Sequence, residues 1–458
     1  MTNPKAFLVL ATRISVALLG TLVVCAHGAE LDSFPGAEGY GRAAQGGRGG
    51  RIIEVNQLGD AGAGSLRACV MAEGPRNCIF KVSGTIVLKH ALLVDGEKSA
   101  GLSILGQTAP GSGITITVEA DSKSFMRTPL ILRNTHDVIV RHLRLRSQVP
   151  NSVANVDAIT VENSRRVYVD HVSGAWATDE NFNAETDTTD LTVAYSIFGE
   201  GLRRHSKCAL LGSGPTRPQN ISFWRNICIS NGDRNPDTNH LEGSCVEVID
   251  NLFYNALSEW TEVFSQNPGG TPLSVVGNYF KAGPSTINLS YAIRWNPTQT
   301  VVVPRIYAAD NAVWAPPGKT IVQIAENTQS LLVASPPCRL QAPSFRDPVA
   351  AYAQVVAEAG AFPRDAIDRR LVHELGEIGA PGTGRIRSQP GNLQVGVDAT
   401  PAYRDDDKDG MADDVEPQFG AVAGVFDAWK APDDHGWFAF DRFMQWLADE
   451  RLAGGDGD

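Results

Sequence analysis

Near the carboxyl end, Asp405-Asp-Asp-Lys-Asp-Gly-Met-Ala-Asp-Asp-Val-Glu416 is the most specific chemical pattern in the chain. Asp405, Asp407, Asp409, Gly410, Asp413 and Glu416 fall at positions 1, 3, 5, 6, 9 and 12 of an EF-hand-type loop, with Met411 placed to offer its backbone carbonyl. Oxygen donors at that spacing suit Ca2+, and a structural ion is expected because the loop lies far from the cations described next. The plainer alternative is a solvated acidic run. The second cluster is cationic: Arg203-Arg-His-Ser-Lys207, then Arg225, then Asp233-Arg-Asn-Pro236. Such groups can hold the carboxylates of an acidic ligand, although a solvated basic patch is the competing reading.

What must position these groups is visible as a repeat. Six alternating apolar strands recur: Val138-Ile-Val-Arg-His, Val167-Tyr-Val-Asp-His, Leu191-Thr-Val-Ala-Tyr, Ile221-Ser-Phe-Trp-Arg-Asn, Val246-Glu-Val-Ile-Asp-Asn and Leu273-Ser-Val-Val-Gly-Asn. Their starts lie 29, 24, 30, 25 and 27 residues apart, which is a solenoid period. A unit of that length without a helical segment is one coil of several short strands, so stacked coils give parallel sheets and line up outward residues on one face. A propeller or sandwich would need hairpin signals between adjacent strands. Within the repeats Asn-Gly occurs once, at Asn231-Gly232, which favours the solenoid.

Beyond about Pro337 the pattern changes. Residues 347–361 and 364–376 read as helices packed on the solenoid, and from Gly382 the chain is punctuated by Gly and Pro before the acidic tail. The expected layout is a leader over 1–28, a β-helix over 29–345, a helical and irregular segment over 346–395 and a tail module over 396–458. The leader rests on Lys5 and Arg13 before an apolar run over 14–25 and small residues over 26–29, and it implies secretion. The apolar run is well short of the ~20 residues that a spanning helix needs, so no membrane span is expected. Val24 argues against lipidation at Cys25. The Gly-rich start, Phe34-Pro-Gly-Ala-Glu-Gly-Tyr-Gly41 with Gly46-Gly-Arg-Gly-Gly50, lacks the Gly-Lys-Ser/Thr ending of a phosphate loop and reads as a cap over the first coil.

Six cysteines follow the leader, an even count that permits disulfides in an exported chain. Cys69 and Cys78 bracket a short loop and are the best pair; Cys208, Cys228 and Cys245 could equally be buried small hydrophobes. No Cys-x-x-Cys or Cys/His cluster suggests zinc. A net charge of −11 without a basic stripe argues against nucleic acid. It also opposes an anionic ligand unless local arginines and a bound cation reverse the field.

Four strings in order, Phe34-Pro-Gly-Ala-Glu-Gly, Gly64-Ser-Leu-Arg67, Val82-Ser-Gly-Thr-Ile86 and Gly106-Gln-Thr-Ala-Pro-Gly111, together resemble the amino half of bacterial pectate lyases. The likeness extends over most of the mature chain. It implies an all-β, right-handed, single-stranded parallel β-helix with short helices, to which the acidic loop above adds a small calcium-binding tail. It also implies a secreted, monomeric enzyme cleaving polygalacturonate by Ca2+-assisted β-elimination. Asp157-Ala-Ile-Thr160, Val169-Asp-His171 and Trp176-Ala-Thr-Asp-Glu-Asn-Phe-Asn183 match the family's calcium region. The resemblance makes Asp157 and Asp179 ligands, with Asn183 standing where an aspartate is usual and Glu180 as a further donor. Arg234-x-Pro matches the catalytic signature, so Arg234 becomes the base and Lys207 the partner of a substrate carboxylate. Asn239 stands where a second arginine is usual, and His240 or Arg204 is expected to replace part of that charge, with Arg225 completing the binding set.

Two rivals follow. A glycoside hydrolase on the same fold needs paired carboxylates on one face, whereas adjacent Asp-Asp pairs occur only in the tail, at 405–407, 413–414 and 433–434. A non-catalytic, calcium-stiffened carbohydrate binder is the other.

Overall fold

The computed structural model describes residue 1 and residues 31–122, 126–266, 268–299, 301–341, 347–430 and 432–454. The leader and Cys25 lie outside the described residues. The β-branched runs fold into three long sheets that wind right-handed in about nine coils. Every pairing within the sheets is parallel except Val397–Asp398, which adds antiparallel to Ser83–Leu88. The repeat is reproduced residue for residue. Val138, Val167, Leu191, Ile221, Val246 and Leu273 are register partners along the first sheet.

Register is fixed because alternate residues must point into one apolar column, and a one-residue slip would turn that set outward. Val167, Val169, Leu191, Val193, Ile221 and Phe223 sit in this column with Phe182, Phe198, Phe253 and Phe280, all buried. Where the first sheet turns into the second, polar residues form their own ladder. The Asn226 N–H donates to Asn251 Oδ1 (2.8 Å), Asn251 N–H to Asn278 Oδ1 (2.9 Å) and Asn278 N–H to Asn311 Oδ1 (3.0 Å). These bonds satisfy backbone groups that neither sheet can reach.

The two helices expected after the solenoid form as Pro348–Glu358 and Ala366–Glu374, capped by the Asp347 and Asp365 carboxylates. They bury Tyr352, Val355, Leu371 and Leu375 against Ile197, Ile227, Ile229 and Leu252 of the second sheet. Among the described residues no helix is long and apolar enough to cross a membrane.

Two expectations are corrected here. The Gly-rich start does not cap the first coil: Phe34, Ala37 and Ala44 lie across the outer face of the first sheet against Ile139, Tyr168, Trp224 and Val276. Gly41 permits this approach, since a Cβ there would stand 2.4 Å from the Val167 carbonyl oxygen. Cys69–Cys78 is bonded as expected, but Cys208 pairs with Cys228 and Cys245 with Cys338. Coil stacking makes Cys208 and Cys228 neighbours, and the segment after the last coil brings Cys338 back to Cys245; sequence separations of 20 and 93 do not reveal either pairing. Closing the longer loop restrains the unfolded chain. Replacing Cys245 and Cys338 together by serine is therefore expected to lower stability by about 2–4 kcal/mol, measured by denaturant unfolding with midpoint and slope both fitted.

Candidate active site

The third sheet carries the chemistry. Its successive strands Ile159–Glu162, Glu180–Glu185, Lys207–Leu210, Asp237–Thr238 and Glu259–Ser265 pair in register, placing Thr160 beside Asn183, Glu180 beside Lys207 and Asp237 beside Glu262. Residues distant in sequence thus become neighbours one strand spacing apart, about 4.8 Å.

At one end stands the oxygen-donor group. Asp157 precedes its strand and is buried; its Oδ2 accepts from Thr160 Oγ1 (2.5 Å) and Asn183 Nδ2 (3.0 Å), and its Oδ1 from the Glu180 N–H (3.2 Å). Burial pushes the carboxyl up to about 7, against those hydrogen bonds. The second Asn183 N–H goes to Glu185 (2.8 Å), and its buried Oδ1 has no hydrogen-bond partner. Asp179 faces His205 Nε2 at 2.9 Å and is held below the ordinary carboxylate range, since His205, Glu180 and Arg234 outweigh its burial. Glu180 is driven the other way by burial and by Asp157 and Asp179.

At the other end stand the cations. Lys207 Nζ is paired with Asp233, its neighbour across the coil. Arg234 holds φ at 49°, a left-handed conformation uncommon outside glycine. Its N–H donates to Glu262 Oε1 (2.8 Å), fixing the turn. Its Nη1 donates to Glu180, and its Nε lies 3.9 Å from Asp237. Burial would lower the guanidinium pKa, but Glu180 and Asp237 outweigh burial and hold it above its ordinary value. Asp237 itself is pushed up to about 7 by burial.

The structure therefore brings together Asp157, Asp179, Asn183, Lys207 and Arg234, with Arg204 exposed on the adjoining loop. It does not bring in the other two binding candidates. His240 is fully buried, its Nδ1 2.6 Å from Gln219 Oε1 and its pKa pushed by burial down to about 3, so it presents no charge to a ligand. Arg225 sits at the corner between the first and second sheets, donating to Tyr195 Oη (2.6 Å) with Asp250 at 3.6 Å. Asn239 accepts from the Gln266 N–H (3.3 Å) and supplies no cation. Sequence reading passed over His205, Asp233, Asp237 and Glu262. Adjacent acid pairs are a poor guide here, because the stack itself sets Asp237 opposite Glu262. Period counting from Glu180 would have found Lys207 and Asp233, which follow at 27 and 26 residues. The predicted tail acids gather in a separate cluster.

Four oxygen donors, two of them forced up by burial and one an amide oxygen lacking any partner, form a set of the hard type that calcium takes.

No family model matches the chain. It is 32% identical over 425 residues to "Probable pectate lyase C" of Neosartorya fischeri, covering 91% of this chain and 94% of that one. The Emericella nidulans protein of the same name is 31% identical over 439 residues, covering 95% and 97%. These relatives are fungal, whereas the motifs had pointed to bacterial members. The crystal structure of Jun a 1, the major cedar pollen allergen, superposes with a TM-score of 0.51 at 18% identity, covering 71% of this chain and 92% of that one. That likeness bears on the fold alone.

Proposed function

The chain belongs to the pectate lyase family and is a polysaccharide lyase, and from that premise we propose that it is secreted and cleaves α-1,4-linked polygalacturonate by calcium-assisted β-elimination along the third sheet. The observation that carries this reading is the meeting of Arg234 and Lys207 with four oxygen donors on adjoining strands. Elimination needs a proton removed α to the uronate carboxylate, the resulting charge stabilised and the C4 oxygen expelled.

Asp157, Asp179, Glu180 and Asn183 would hold the calcium ion, whose charge stabilises the enolate-like carboxylate when bound. Arg234 takes the C5 proton, the C5–H electrons become the C4–C5 double bond, and the C4–O bond breaks, its oxygen collecting a proton from water. Lys207 turns from Asp233 to the uronate carboxylate, orienting the sugar. A guanidinium acts as base only through a neutral population, and the carboxylates around Arg234 suppress that population at neutral pH. Activity is therefore expected to climb toward alkaline pH.

Incubation with polygalacturonate tests the reading. Elimination leaves an unsaturated uronate with ultraviolet absorbance, rising with pH. Hydrolysis would raise reducing ends with no absorbance, and a binding protein would raise neither; both results refute the proposal.

A further inference from the structure

Residues 405–416 take no part in the third-sheet site, yet they are built as a site of their own. Asp405, Asp407 and Asp409 each present a carboxylate oxygen, all within 4.8 Å of one another. The loop is closed by its own backbone: Gly410 N–H donates to Asp405 Oδ2 (3.2 Å), Asp409 N–H to Asp407 Oδ1 (3.2 Å) and Met411 N–H to Asp409 Oδ1 (3.1 Å). Gly410 turns the chain at φ 85°, where a Cβ would stand 2.8 Å from the Phe440 ring.

These bonds use one oxygen of each acid. Of the other three, Asp409 Oδ2 accepts from the Asp427 N–H (3.4 Å), whereas Asp405 Oδ1 and Asp407 Oδ2 are buried without a hydrogen-bond partner, and so are both oxygens of Glu416, which is 0% exposed. Lys81 reaches Asp405 (3.0 Å) and Arg404 reaches Asp413 (3.2 Å). Glu416 has neither, although Asp409, Asp407, Asp413 and Asp405 all act on it. A buried carboxylate without a donor is costly unless a cation completes it.

The loop is also the hinge point of the tail's packing. Met411 and Ala412 are buried with Ile79 and Leu105 of the first sheet and with Phe440, Phe443 and Met444 of the helix Ala439–Ala453. Lys81 lies 3.8 Å over the Tyr403 ring, and Tyr403 Oη donates to the Gly410 carbonyl (2.8 Å). At the far end of the helix, Arg451 Nε donates to the Gln107 carbonyl (3.2 Å).

We propose that residues 405–416 bind a structural Ca2+ through Asp405, Asp407, Asp409, Asp413, the Met411 carbonyl and Glu416, and that this ion fastens the C-terminal segment onto the outer face of the first coils. The loop is separate from the third-sheet residues, so its fate need not follow that of the lyase reading.

The test titrates Ca2+ into metal-stripped full chain while following melting temperature and chymotrypsin cleavage of the tail. Four proteins are compared: wild type, Glu416→Gln, Asp407→Asn and the third-sheet variant Asp179→Asn. At a hundredfold excess over Kd, calcium is expected to raise the melting temperature by about 3 °C and protect the tail, in wild type and Asp179→Asn alike. Tail protection should vanish in the two loop variants, where any melting shift that remains comes from the third-sheet site that Asp179→Asn weakens. In chelator Glu416→Gln should melt no lower than wild type, because it removes one charge from a ring of acids. If it melts lower, its folding is impaired and Asp407→Asn decides. Calcium protection of the tail from cleavage that survives in the loop variants, or disappears in Asp179→Asn, overturns the proposal.

Discussion

Replacing Arg234 by lysine is expected to lower kcat on polygalacturonate roughly 10²–10⁴-fold, with the melting temperature nearly unchanged. The turn survives because the bond to Glu262 comes from the Arg234 backbone N–H, which lysine keeps. The charge also survives, so Glu180 keeps a cation nearby. What is lost is reach and shape. The guanidinium fork lies between Glu180 and Asp237, whereas an ammonium is a point charge on a flexible stem and cannot hold both. A variant with normal melting and wild-type formation of unsaturated product would remove Arg234 from the role of base. Asp237 and Glu262, which stand beside it and are buried acids driven upward, would then be the groups to examine.

The solenoid was legible because its physics is local and periodic. Each coil must place an apolar face inward, so Val138 through Leu273 repeat at a readable interval and the structure pairs those same residues. The core of the site was legible for the same reason, since Asp157, Glu180 and Lys207 recur about one coil apart. Spacing could not say at which corner of a coil a residue falls. Arg225 and His240 share the period but belong to a different corner and to the interior, and only chain direction within each turn decides that. Cys245 and Cys338 lie 93 residues apart and meet because the segment after the last coil returns along the first sheet, a path without a repeat to announce it. Ala439–Ala453 was hidden as well: its apolar residues serve the outer face of the first sheet rather than a core of their own.

Chelation is expected to abolish lyase activity and added Ca2+ to restore it, and two substitutions should move the calcium requirement in opposite directions. Glu180→Gln removes a charged donor and the partner of Arg234; the calcium needed for half-maximal activity should rise by roughly 10–100-fold, on the scale at which ligand-shell changes alter metal affinity. Asn183→Asp restores the charge usual at that position and should lower the requirement. Its cost appears without the ion, because the Asn183 amide donates to both Asp157 and Glu185. An aspartate there turns two hydrogen bonds into two repulsions, so in chelator the variant should melt below wild type.

The pH dependence of ion-free melting supplies a readout that does not depend on catalysis. Burial raises the Asp157 carboxyl from its ordinary range to about 7. A carboxyl that is more basic folded than unfolded lends stability below about 4, and that stability is lost as pH rises through about 7. Ion-free protein should therefore weaken across that window, and Asn183→Asp should steepen the loss. Saturating calcium should flatten it, because the carboxylate is then charged by choice of its partner. An unchanged slope in calcium would mean that the ion does not sit on Asp157, however strongly activity depends on it.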